Sequence, residues 1–334
     1  MNLFEPVGAP PVTASVVVCV YTEKRWADIV AAVESVAAQD VRPLETIVVV
    51  DHNPALLDRA REAFPELVVV ANAHKQGLSG ARNTAVELAK GEVVVFLDDD
   101  ASARPGWLRA LLEPYADPAV AGVGGVAHPR FPGGRPVMLP GDALSDHGTG
   151  ELDWVVGCTY TGQPTAQAEV RNLMGCNMSL RAEVFKRVGG FAEDIGRIGK
   201  NPLGCEETEL CIRARQAYRA DGRDIKILFE PRAAVDHRVS EDRVEWAYLR
   251  RRSWAEGLSK AAVSKLVGQG DALSTERGYV ATVLPRAVLR EVRAGRPASA
   301  AAVVVCLGFT TAGYVRGKLP GATAHVSLPA ANGA

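Results

Sequence analysis

Apolar and polar positions in the first hundred residues follow two alternating periods. Residues 15–20, 46–50, 67–71 and 92–97 are short runs of Val, Ile, Leu and Phe, and such runs predict strands covered on both faces. Between them, residues 26–39 place Ile29, Val30, Val33 and Val36 on one helical face. Residues 54–64 read as a short helix, and 79–89 as a helix capped by Ser79 and stopped by Gly91. Strand–helix units joined by short connections predict an α/β fold: a doubly wound, mostly parallel sheet flanked by helices. Another helix is expected to begin near Pro105. Periodicity fades over 128–171, where Pro and Gly are frequent, and long irregular stretches of this kind form lids or binding loops. It returns with helices at 181–188 and 207–220, a strand at 225–229, and a long helix at 241–267 broken near Gly257.

The strand at 92–97 runs into Asp98-Asp99-Asp100. Ligands of open α/β sheets gather beyond the carboxyl ends of the strands. Adjacent carboxylates repel one another unless a cation sits among them, and hard divalent ions that share phosphate oxygens suit such a cluster. The competing reading is one capping Asp with two solvated neighbours. No G-x-G-x-x-G or Walker A sequence follows the first strand, where Val20-Tyr21-Thr22-Glu23-Lys24-Arg25 stands instead. A nucleotide bound here is therefore bound without a glycine phosphate loop.

Composition narrows the classes further. The chain of 334 residues has a net charge of −1, which offers no global basic field for nucleic acid. Its six cysteines form no CxxC pair and no zinc spacing, which favours a reducing, cytoplasmic compartment. Residues 1–13 lack the basic and apolar regions of a signal peptide. Residues 297–315 carry no charge and reach the lower end of spanning length, but they are Ala-rich and include Gly308, Thr310, Thr311 and Gly313. A buried or membrane-surface helix is expected rather than a span. Arg286, Arg290, Arg293, Arg296, Arg316 and Lys318 around it suit an anionic leaflet or an ordinary solvated face.

In order and spacing, several segments resemble the family-2 glycosyltransferases of the GT-A fold. They are Val18-Cys19-Val20-Tyr21-Thr22, Val48-Val49-Val50-Asp51, Gly77-Leu78-Ser79-Gly80-Ala81-Arg82-Asn83, Phe96-Leu97-Asp98-Asp99-Asp100, Gly175-Cys176-Asn177-Met178-Ser179-Leu180, Val188-Gly189-Gly190-Phe191 and Gly204-Cys205-Glu206-Glu207-Thr208-Glu209-Leu210. The resemblance covers roughly residues 15–257. It implies a nucleotide-sugar-binding part at 15–127, an acceptor-binding and catalytic part at 128–257, and a helical extension at 258–334 after a tail at 1–14.

The resemblance also implies roles. Asp51 would contact the donor base, although a turn-forming Asp before Asn53-Pro54 reads equally well. Thr22, Glu23, Arg82, Asp98, Asp99 and Arg251 complete the expected donor site. Asp100 and Asp98, with His237, would hold Mn²⁺ or Mg²⁺ on the diphosphate. Glu207 would be the base that deprotonates the acceptor hydroxyl. The family more often has Glu-Asp here, so Glu206 stays an alternative. Trp154 and Asn177 are expected at the acceptor, with Trp154 and Tyr160 either a stacking platform or core. Segment 196–204, with Lys200 and Pro202, would be a mobile loop. Of the Arg250-Arg251-Arg252 run, at most one or two can face a phosphate, since consecutive residues do not share a helical face. The implied enzyme is an inverting, metal-dependent transferase using a nucleotide-diphosphate sugar, UDP-sugar favoured. Its acceptor would be a saccharide, lipid-linked or small-molecule hydroxyl, and peripheral membrane contact would be expected. The alternatives are a sugar-nucleotide pyrophosphorylase and a non-catalytic sugar-nucleotide-binding protein.

Overall fold

The computed structural model describes residues 10–141, 149–197 and 203–320. The predicted alternation holds at the start: β1 (Ala14–Val20), α1 (Trp26–Ala37), β2 (Glu45–Val50), α2 (Pro54–Ala63), β3 (Val68–Ala71), α3 (Leu78–Leu88) and β4 (Val93–Asp98). β3, β2, β1 and β4 lie side by side in that order, all parallel. The chain winds outward from β1 to β3 and then returns to the other side of β1, so the crevice beyond the ends of β1 and β4 is a topological switch point.

Successive side chains of each strand go to opposite faces. Val16, Val18, Val48 and Val95 meet α1, α2 and Trp107 of α4 (Trp107–Leu112) on one face. Val17, Ile47, Val49 and Phe96 meet α3, α5 (Ala182–Val188) and α6 (Glu206–Ala220) on the other. This two-sided burial explains why the strands read as unbroken apolar runs.

Beyond β4 the sheet becomes mixed. The short β5 (Ala101–Ala103) follows β4, then β6 (Val120–Arg130), the two-residue β7 (Ala168–Glu169), β8 (Asn177–Arg181) and β9 (Lys226–Arg238). β8 is antiparallel to both β4 and β6, while β6 and β9 run parallel. β5 pairs antiparallel with β9, Ala101 opposite His237, and the Arg238 amide donates to the Asp100 carbonyl at 2.8 Å. The strand expected at 225–229 is therefore much longer, because a register shift after Gly125 accommodates Pro231.

The helix expected at 241–267 is corrected. A 3-10 turn (Glu241–Val244) precedes α7 (Trp246–Leu266), which runs unbroken through Gly257. After the short α8 (Gln269–Ala272) and α9 (Glu276–Gly278), a π-helical segment (Tyr279–Val283) leads into α10 (Leu284–Arg293) and α11 (Pro297–Lys318). Gly257 is needed for crossing, not breaking: a Cβ there would lie 2.1 Å from the Thr310 carbonyl of α11, and one on Gly313 would lie 2.2 Å from the Trp254 carbonyl. α11 is the one helix among the described residues long and apolar enough to cross a membrane. One side packs on α7, whereas Val304, Phe309 and Val315 are exposed. Leu284, Ala287, Val303 and Cys306 join Leu152 and Val155 in a separate core that fixes the C-terminal helices to the 150s segment.

Candidate active site

The switch-point crevice deepens into a cavity of about 410 Å³. β1, β2 and β4 deliver Cys19, Asp51 and Asp98 to its floor. The Asp51 carboxylate accepts from Asn72 Nδ2 at 2.7 Å and from the Gly77 amide at 3.0 Å, and lies 2.9 Å from His52 Nδ1. Asp99 and Asp100 follow in the turn between β4 and β5 and are buried.

The β5–β9 register brings His237 Nε2 within 3.2 Å of Asp100. Asp98, Asp100 and His237 each present one donor atom, all within 4.8 Å of one another. Cys158 Sγ lies 3.6 Å from His237 Nδ1, on the far side of the ring. Arg25 reaches both Asp99 (2.7 Å) and Asp100 (2.9 Å), and Arg243 lies 3.4 Å from Asp100. Burial opposes ionisation of both acids. At Asp100, His237, Arg243 and Arg25 overcome it and hold the carboxyl far below its usual range. At Asp99, burial prevails over Arg25, and the neighbouring Asp100 and Asp98 charges push the carboxyl further up.

The opposite wall is the N-terminus of α6. Glu206 is buried and paired with Arg82 at 2.7 Å; the same guanidinium donates to the Gly175 carbonyl at 2.8 Å and lies 3.4 Å from Asp98. Arg82 therefore reaches the cavity as a brace between Asp98 and Glu206. Glu207 is half-buried, accepts from Thr208 Oγ1, and is pushed up to about 8 by burial and then by the Glu206 charge.

Some expected residues stand elsewhere. Asn177 is fully buried: its Oδ1 accepts from Trp107 Nε1, and its Nδ2 donates to the Val126 and Ala233 carbonyls. It ties the sheet together and does not line the cavity. Arg251 is exposed beside Tyr248, and Arg252 lines the cavity in its stead. Thr22 caps the turn at Glu23–Arg25, and Tyr21 and Arg25, rather than Thr22 and Glu23, face inward. Trp154 does line the cavity, 5.9 Å from the Arg252 guanidinium. Lys200 and Pro202 lie outside the described residues.

Four lining arginines were not singled out from sequence: Arg25, Arg171, Arg197 and Arg243. Only Arg25 had a local signal, its place just past the end of β1. Arg197 makes no ion pair among the described residues, and burial, then the Arg243 and Arg252 charges, hold its guanidinium below the usual range.

A parallel sheet with a switch-point cavity, an acidic turn after β4 and a carboxylate pair facing it is the arrangement expected from the resemblance to the GT-A fold. Residues 15–189 match the model of glycosyl transferase family 2, and the chain belongs to that family. It is a nucleotide-sugar-dependent glycosyltransferase. It is 35% identical over 259 residues to the glucosyl-dolichyl phosphate glucuronosyltransferase of Haloferax volcanii, covering 76% of this chain and 78% of that one. The pre-mycofactocin glycosyltransferase of Mycobacterium tuberculosis is 29% identical over 202 residues, 59% of this chain and 38% of the relative. In fold, the chain is similar to a mannosyltransferase from Pyrobaculum calidifontis solved with GDP-Man and Mn²⁺, with a TM-score of 0.55 and 18% identity over 93% of this chain and 88% of that one.

Proposed function

We propose that this enzyme transfers a sugar, with inversion, from a nucleotide-diphosphate donor (a UDP-sugar favoured) to a hydroxyl of a glycoside carried on a lipid phosphate. The observation that carries the reading is Glu207: a half-buried carboxyl that makes no ion pair among the described residues, in the same cavity as the Asp98–Asp100–His237 cluster. Its neighbour Glu206 is occupied by Arg82, which leaves Glu207 to take the acceptor proton. With no other nucleophile assigned, a single displacement from the opposite face inverts the anomeric centre.

Two carboxylates and an imidazole whose donor atoms converge within 4.8 Å fit a divalent ion, and a nitrogen donor suits Mn²⁺ better than Mg²⁺. When bound, the ion supplies positive charge to the departing diphosphate. Arg25 and Arg243 set the charge at Asp100, and Cys158 orients His237. Arg197, Arg243 and Arg252 offer guanidinium groups to the diphosphate oxygens, while Asp51, fixed by Asn72 and Gly77, receives the base.

The acceptor class follows the name of the Haloferax volcanii relative and the apolar, partly exposed α11. Six cysteines without a disulfide support a reducing compartment. There the exposed Val304 and Val315 of α11 would meet the cytoplasmic leaflet. The test is a panel of nucleotide sugars scored for stabilisation of the folded chain with and without Mn²⁺, followed by assignment of the product's anomeric configuration. Stabilisation indifferent to Mn²⁺ for every donor, or a retained configuration, would sink the proposal.

A further inference from the structure

The cavity does not end at the catalytic carboxylates. Besides the acids and arginines its lining holds an apolar group, Trp154, Tyr160, Tyr279, Val280, Leu284 and Leu307. Tyr160 and Tyr279 meet edge to face with centroids 5.3 Å apart. Leu284 is buried, whereas Val280 is 39% exposed, so the apolar arm reaches the surface at the π-helical segment before α10.

A partly buried charge network lies beside Tyr160. Arg171 is held by Glu276 at 2.8 Å; Lys260 lies 2.6 Å from Glu276 and 3.2 Å from Glu256; Arg252 lies 2.7 Å from Glu256. Arg171, Lys260 and Arg252 outnumber Glu256 and Glu276 by one positive charge, and all five line the cavity. A neutral saccharide leaves both features unused. An acceptor with an anionic link between a polar head and an apolar chain uses both, because each methylene moved from water into such an arm tightens binding by about fourfold.

We infer that the arm holds the proximal part of the acceptor's apolar chain, with the acceptor phosphate at the Arg171–Lys260–Arg252 wall and its sugar at Trp154. The inference rests on the lipid-phosphate acceptor proposed above. Val280 is the mouth through which the chain leaves.

The experiment measures binding of farnesyl phosphate, farnesol and methyl phosphate to the full chain and to Val280→Trp, an exposed site where a larger side chain plugs the mouth without disturbing a core. The wild type should bind farnesyl phosphate at least about tenfold more tightly than either farnesol or methyl phosphate. Val280→Trp should lose about tenfold or more for farnesyl phosphate and nothing for methyl phosphate, with its Mn²⁺-dependent stabilisation by nucleotide sugar unchanged. Farnesyl phosphate bound equally by both proteins would overturn the arm's assignment and leave the acceptor reading standing. Farnesyl phosphate bound no better than methyl phosphate by the wild type, while transfer to a chainless glycoside proceeds, would overturn both.

Discussion

Arg82 Nη1 lies 2.7 Å from Glu206 Oε1, and this buried contact joins the second turn of α3 to the first turn of α6. The guanidinium is also within 5.7 Å of the Phe96 ring centre and 5.4 Å of that of Phe191. Removing one member of a buried pair strands the other charge. Arg82→Met is expected to cost about 3–5 kcal/mol in urea unfolding. Adding Glu206→Gln should recover most of it, because the buried Glu206 charge is then gone and the remaining partner, Asp98, is partly solvated. A single variant within about 1 kcal/mol of the parent would show that the pair braces nothing.

Glu207→Gln is expected to slow transfer by about 10²–10⁴-fold while donor binding persists. In the parent, kcat/KM should climb with pH through about 8, since a base must be deprotonated and burial and Glu206 hold this proton on. The same shift has a stability sign. The folded chain keeps a proton that the unfolded chain releases near 4.5, so this group's contribution is present below 4.5 and lost as pH rises to about 8. The Gln variant should therefore melt above the parent in alkaline buffer and not in acid. A pH–rate profile unchanged by the substitution would remove Glu207 from the base role.

For the cation site the readout is Mn²⁺ affinity by electron paramagnetic resonance, independent of turnover. His237→Ala deletes a donor and should abolish tight binding. Cys158→Ala leaves every donor in place but frees the ring at Nδ1, and should weaken Mn²⁺ by about 10–100-fold. Cys158→Ser should fall between. Unchanged affinity in Cys158→Ala would mean that the ring is held by its other neighbours.

Arg197 separates stability from binding. It sits among Arg243 and Arg252 with no carboxylate paired to it among the described residues, an arrangement that stores repulsion until an anion arrives. Arg197→Met should be neutral or stabilising by about 1 kcal/mol and should weaken the nucleotide-diphosphate donor by about tenfold or more. Loss of stability with unchanged donor affinity would assign Arg197 to the fold instead.

The parallel half of the sheet and the acidic turn were legible because their signals are local: apolar runs buried on both faces, each ending in a polar residue. β6 was not, since Gly122, Gly124 and Gly125 interrupt its apolar pattern and its partners are far along the chain. Asn177 misled because a buried amide saturated by Trp107 and two carbonyls has the same letter as one facing a ligand. Gly257 read as a break because a glycine inside a helix costs stability unless another backbone needs the space, and that backbone is about fifty residues away. The arginines that frame the acids come from distant elements; Arg25, Arg197 and Arg243 share a site only once the sheet has closed.

The glycine crossing ties two properties of the enzyme together. With Gly313 seated against the Trp254 carbonyl, α11 is a structural wall whose Cys306, Leu307 and Thr310 line the same chamber as Glu206 and Glu207. The helix with the hydropathy of a membrane span cannot thread a bilayer on its own without dismantling that chamber. The proposed lipid contact and the integrity of the chamber would therefore constrain one and the same helix. A substitution that draws α11 away from α7 is expected to open the chamber on the side of Cys306, Leu307 and Thr310.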